Sequence, residues 1–217
     1  MQILLCAATP FEIQPTLDFL VKAQRTDEVE CLITGVGLLA TTYALTKAMV
    51  GKKPGIIIQA GIAGAFHTDL SLAQCVVVDR ESLGDTGVME AGRFQSLFTM
   101  GLLSANQHPW KDTWLPNPHM ELLLSTGLPA LPATTIAEIS TNPESIHYLK
   151  NGLGAALESM EGAALHYIAL QEGIPFLQLR SISNYVGERD KENWRLKESI
   201  ESLNTHLQRI LLKLLNT

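Results

Sequence analysis

PFLQLRSISN, residues 175–184, carries the pattern of a strand that ends at a ligand. It begins as an apolar, strand-like run and ends on the polar pair Ser183 and Asn184, after which the chain turns charged (ERDKEN, 188–193). A strand whose carboxyl end carries polar side chains is the place where an α/β protein keeps a ligand. Asn184 cannot act as an acid at neutral pH, but its amide can match the donor and acceptor pattern of a heterocyclic base.

Outward from this stretch, short apolar runs alternate with longer helical patterns, the mark of a doubly wound or related α/β sheet. Strands are expected at 2–8, 29–34, 55–60, 74–80, 134–139 and 175–183, with a short one at 154–158. Helices are expected at 11–23, 38–50, 143–150, 160–172 and 191–215. In the last, Trp194, Ile200, Leu203, Leu207, Ile210, Leu211 and Leu214 recur at helical spacing, so it should cover the sheet. Residues 84–133 have weak periodicity broken by Pro109, Pro116 and Pro118, and read as an irregular insertion, a lid or a subunit contact. No repeat or linker divides the chain, which is expected to be one domain over 1–217.

The 217 residues, 46% apolar and 18% charged, suit a globular domain with a sizeable core. The formal net charge is −6 and no basic cluster exceeds Lys52–Lys53, which excludes a phosphate track for nucleic acid but not a single nucleoside. Cys6, Cys31 and Cys75 lie in apolar stretches without C-x-x-C spacing and read as reduced, buried thiols of a cytoplasmic protein. The start, MQILLCAATPFE, lacks the basic region of a signal peptide, and no run approaches the roughly 20 apolar residues of a membrane span.

Two glycine-rich segments follow strands. ITGVGLLA, 33–40, nearly matches a dinucleotide fingerprint, but the next strand brings no acidic residue for the ribose, so a nicotinamide cofactor is not expected. QAGIAGAF, 59–66, reads as a second turn, and two such turns can line one cleft with backbone groups.

Two carboxylates also fall at strand ends. Glu12 follows Thr9 and Pro10, which read as helix N-cap and first turn, so it can complete a capping box as easily as serve a site. Glu161 stands where a strand gives way to a helix, among Met160, Gly162, Ala163 and Ala164. A carboxylate in a first helical turn is favoured there anyway, yet among packed neighbours it needs donors, and ribose hydroxyls are suitable ones. Glu158 either shares the site or merely solvates the strand end. There is no G-x-S-x-G elbow, H-E-x-x-H or Cys/His metal spacing, and no metal or cofactor is expected.

Together these segments resemble the purine nucleoside phosphorylase/nucleosidase superfamily, in its hydrolase branch with the 5′-methylthioadenosine/S-adenosylhomocysteine nucleosidases. The likeness rests on A-x-x-x-E (Ala8 to Glu12), T-G-V-G, A-G-I-A-G, S-M-E-G-A-A and R-S-I-S-N, in that order over nearly the whole chain. Within the branch the segment ESLGDTGVMEAGRFQSLFTMGLL is most similar to the futalosine hydrolases of menaquinone biosynthesis. The resemblance implies a phosphorylase/hydrolase-like three-layer α/β/α fold around a mixed, twisted sheet, and a homodimer acting on a small nucleoside.

It also implies roles. Glu12 would activate the attacking water and Glu161 would hold the ribose hydroxyls, with Met160 packing on the sugar and Ser159 among the substrate-binding residues. Val36, Gly61, Ala63 and Gly64 would line the pocket, and the backbone at Ile139 would meet the base edge. Ser183 and Asn184 stand where the adenine-specific nucleosidases carry Ser-Asp. A 6-oxopurine presents an acceptor at O6, to which Asn184 can donate while its carbonyl receives a proton developing at N7. Asn184 therefore predicts hypoxanthine as the leaving base, with the N7 proton supplied by water, unless it only caps the following turn. Arg93, His108 and Trp110 of the insertion are the candidates for futalosine's carboxyphenyl group, within one chain or across a dimer. The alternatives are an adenine-releasing nucleosidase, an inosine-type phosphorylase and a non-catalytic nucleoside-binding protein.

Overall fold

The computed structural model describes residues 2–51 and 53–216. The strand β1 (Ile3–Ala7) lies between β2 (Val29–Ile33) and β3 (Ile56–Ala65), parallel to both. With neighbours on each side and helices on each face, all five of its residues are buried, which is why it reads as an unbroken apolar run. Alternate side chains go to opposite faces. Ile3 and Leu5 pack with Ile13 and Leu20 of α1 (Pro10–Lys22) and Leu203 and Leu207 of α6 (Leu196–Leu215). Leu4 and Cys6 pack with Leu45 of α2 (Leu38–Met49) and Leu165 and Ile168 of α5 (Gly162–Glu172). The fold is thus three layers, helices on both faces of a mixed sheet, as expected.

The sheet also closes on part of itself. The strand β10 (Phe176–Tyr185) runs parallel to β3 and antiparallel to β4 (Cys75–Leu83). From β4 the pairing continues to β8 (Ala130–Thr135) and β9 (Leu157–Ser159), and β9 returns antiparallel to β3. This ring corrects one sequence expectation: QAGIAGA is no turn but the second half of β3, and Gly61, Ala63 and Gly64 are strand residues. Pairing with β10 along its length and with β9 at its end keeps the segment extended despite its glycines.

Cys6 and Cys75 are buried as expected, but Cys31 is exposed, because β2 is an edge strand. Boundaries shift elsewhere. β8 ends at Thr135, so 136–139 is loop, β9 begins at Leu157, and α6 begins at Leu196 after a single 3-10 turn. The insertion holds a hairpin of β5 (Gly87–Glu90) and β6 (Arg93–Ser96), the short β7 (Leu115–Pro116) and α3 (Met120–Ser125). α4 (Pro143–His147) completes the elements and runs into a π-helical turn over Tyr148–Leu153.

Candidate active site

Glu12 reaches the carboxyl edge of the sheet because Thr9 starts α1 immediately after β1. Its Oε2 accepts the Thr9 N–H at 3.0 Å and the Thr9 hydroxyl at 3.1 Å, so the capping box does form. The other oxygen accepts the Ile62 N–H at 3.2 Å. Capping and site membership are one arrangement, since each uses a different oxygen. From α6, Asn204 donates to the Glu12 carbonyl at 2.8 Å and accepts from the Thr16 N–H and hydroxyl, fastening α1 in place. Burial raises the Glu12 carboxyl above its ordinary value, against the lowering influence of Arg180.

Glu161 is the N-cap residue of α5. Its Oε1 accepts the Gly37 N–H at 3.0 Å, and its Oε2 accepts from Arg180 Nη2 at 3.4 Å. Gly37 can aim that N–H because its φ of +92° suits glycine. Arg180, on β10 and only 1% exposed, also donates to the Gln59 side chain at 3.0 Å and to the Ile62 carbonyl. Gly61 makes room for it: a Cβ there would run into the guanidinium and sit 2.8 Å from Glu12 Oε1. Beneath lies Glu81, fully buried, which accepts from Gln178 at 2.8 Å and from the Thr135 hydroxyl at 3.1 Å. A Cβ on Gly162 would collide with Glu81 and Gln178, so the glycine of S-M-E-G-A-A is a packing requirement.

The Ser183 hydroxyl donates to Asn184 Oδ1 at 2.8 Å, and Asn184 Nδ2 donates to the Tyr185 carbonyl at 3.1 Å. One amide N–H of Asn184 is left to turn outward. Asn184 also sits beside Gly64, across which lies Glu158 of β9: both side chains come within 3.4 Å of where a Gly64 Cβ would be. These residues line one cleft of about 370 Å³ with Ala8, Phe11, Val36, Ile139 and Met160. Small-molecule sites begin at about 300 Å³. Ile139 reaches it from the loop after β8, which Asp85 anchors by accepting the Ala137 and Glu138 N–H groups at 2.6 and 2.9 Å.

A cleft at the carboxyl ends of β1, β3 and β10, with three buried acids, Glu12, Glu158 and Glu161, and an oriented amide, is a site for a polar ring compound bearing hydroxyls. Residues 7–216 match the sequence profile of the phosphorylase superfamily. The chain belongs to the phosphorylase superfamily. Among its relatives is a futalosine hydrolase of Thermus thermophilus, 31% identical over 184 residues, 83% of this chain and 80% of that one. Another, from Streptomyces coelicolor, is 29% identical over 72% of this chain and 65% of its own. The fold matches a Helicobacter pylori 5′-methylthioadenosine nucleosidase mutant (TM-score 0.81, 16% identity, 98% of each chain). It also matches an H. pylori futalosine hydrolase mutant (TM-score 0.79, 16% identity, 98% of this chain and 100% of that one).

On this phosphorylase-superfamily framework, Glu12, Val36, Ala63, Gly64, Ile139, Ser159, Met160, Glu161, Ser183 and Asn184 all line the cleft. Gly61 lies behind it, acting through the space it leaves for Arg180. Three residues lie elsewhere. Arg93 lines a separate groove with Tyr148 and His147. Trp110 stands edge-on to Phe98 with ring centroids 4.9 Å apart, and it and His108 are absent from the cleft wall. The insertion folds as its own hairpin and loop, which carries them away, and the cation and indole at the cleft are Arg189 and Trp194. Sequence reading passed over Arg180 although it opens the R-S-I-S-N motif. A lone Arg inside an apolar strand was the available signal, because a buried guanidinium demands acidic partners.

Proposed function

We propose that the chain hydrolyses the N-glycosidic bond of futalosine, releasing hypoxanthine and leaving dehypoxanthine futalosine, a step of menaquinone biosynthesis. The observation that carries this reading is Asn184, oriented by Ser183 in the cleft that holds Glu12 and Glu161. The futalosine hydrolase relatives at 29–31% identity support it.

Glu161, held by Gly37 and Arg180, keeps lone pairs for the two ribose hydroxyls and so orients the sugar. As the C1′–N9 bond lengthens, positive charge develops on the sugar, and the buried carboxylates stabilise it. Glu12, whose raised affinity for a proton suits a base, takes one from the water that attacks C1′. The free N–H of Asn184 meets O6, an acceptor, whereas the amino group of adenine would face it donor to donor. The protein works as a homodimer on this reading: Val36, Leu39 and Tyr43 form an exposed apolar stripe at α2, which light scattering would test.

The deciding experiment offers futalosine, 6-amino-6-deoxyfutalosine and methylthioadenosine separately in phosphate-free buffer and identifies the released base. Hypoxanthine from futalosine alone is expected. Adenine release would overturn the reading of Asn184. Turnover only on adding phosphate would make the enzyme a phosphorylase.

A further inference from the structure

The cleft holds a third acid that neither the water-activating nor the ribose-holding role employs. Glu158 is 6% exposed and lies on the cleft wall, and its Oε2 has no hydrogen-bond partner. The Ser140 hydroxyl and backbone N–H serve its carboxyl. A buried carboxyl oxygen without a partner is costly unless a ligand or a proton completes it. Asn184 approaches the same spot from the other side of Gly64. A 6-oxopurine edge presents two acceptors there, O6 and N7, while Asn184 has one N–H to give, its Oδ1 being engaged by Ser183.

We infer that Glu158 is the acid that protonates the departing purine at N7, a catalytic role resting on the hydrolase reading above. In the step, C1′–N9 breaks and its electron pair passes into the base, while the O–H proton of Glu158 moves to N7. Water adds to C1′ and gives its proton to Glu12. Solvent returns a proton from Glu12 to Glu158, so the sum is nucleoside plus water to hypoxanthine plus ribosyl product. The site thereby sets two donors against two acceptors, a pattern adenine does not match.

The carboxyl is ready for this near neutrality, because burial, aided by Asp85, pushes it up to about 7 against the lowering influence of Ser140 and Arg189. Glu12 and Glu161 share the cleft but face its sugar side on this assignment.

The test compares kcat against pH for the full-length protein and Glu158→Gln on futalosine and on p-nitrophenyl β-riboside, whose leaving group needs no proton. With futalosine, wild type should lose kcat as pH rises through about 7, and Glu158→Gln should be slower by roughly 100-fold without that limb, its KM within a few-fold. The deficit should shrink to a few-fold on the nitrophenyl riboside, and Glu158→Asp should restore part of the rate. An equal deficit on both substrates, with an unchanged limb, would reduce Glu158 to a structural role and overturn the inference. If Glu158→Gln does not fold, the absence of an alkaline limb in wild type would overturn it by itself. Wild type releasing no hypoxanthine at any pH would sink the hydrolase reading and this inference together, whereas hypoxanthine release with a Glu158→Gln enzyme as fast as wild type would sink the inference alone.

Discussion

Asn184 shows how little a residue type says until its hydrogen bonds are counted. With its carbonyl on Ser183 and one N–H on Tyr185, it can present a donor to the ligand. Replacement by Asp removes that donor and puts a charged acceptor in its place, suited to an exocyclic amine. Asn184→Asp should lower kcat/KM for futalosine by about 10- to 100-fold, the loss expected from one mispaired buried group, and raise the rate on 6-amino-6-deoxyfutalosine. Release of the two bases in parallel assays checks it. A variant equally slow on both would mean that the amide serves the fold and not the base.

Between elements, the placement of Glu12 depends on a residue far from it in sequence. Asn204, 2% exposed in the middle of α6, supplies hydrogen bonds to the backbone of Glu12 and to both polar groups of Thr16. Truncating it leaves buried groups on α1 unsatisfied, at about 1–3 kcal/mol for each. Asn204→Ala should therefore destabilise by about 2 kcal/mol or more in urea unfolding and lower kcat through the loosened α1, with KM little changed. The amphipathic pattern of α6 announced a covering helix. Its clamp on the site was not legible, because nothing in the local sequence marks which polar position faces α1.

For the molecule as a whole, acids buried under the site tie stability to pH. Burial holds the Glu81 carboxyl up to about 7 from an ordinary 4.5. The folded state therefore keeps a proton that the unfolded chain releases between those values. This contribution is complete below about pH 4.5 and is lost as pH rises through about 7, up to about 3 kcal/mol in all. His166, which burial lowers to about 4, works in the opposite direction over an overlapping range, and Glu158, also raised to about 7, adds to Glu81, so the wild-type curve mixes all three. Glu81→Gln should isolate the acid: relative to wild type the variant gains about 1–3 kcal/mol between pH 5 and pH 8, measured by denaturant unfolding at each pH. Parallel curves would show that Glu81 stays charged in the fold, paired across the core with Arg180.

The α/β class, most elements and the carboxyl-end residues of the cleft could be read along the chain, because hydrophobic periodicity, caps and strand-end polar residues are local signals. Glu12, Glu161, Ser183 and Asn184 were legible for that reason. That A-G-I-A-G is strand and not turn follows from pairing in the folded chain, since the partners holding it, β10 and β9, lie about a hundred residues away. Tertiary packing likewise brings Arg180 to Glu161 and Glu12, sets Glu158 on the cleft wall with one buried oxygen unpartnered, and leaves Arg93, His108 and Trp110 outside that wall. Each of these depends on which distant strands close the ring of the sheet, and pairing between distant strands is written in no single stretch of chain.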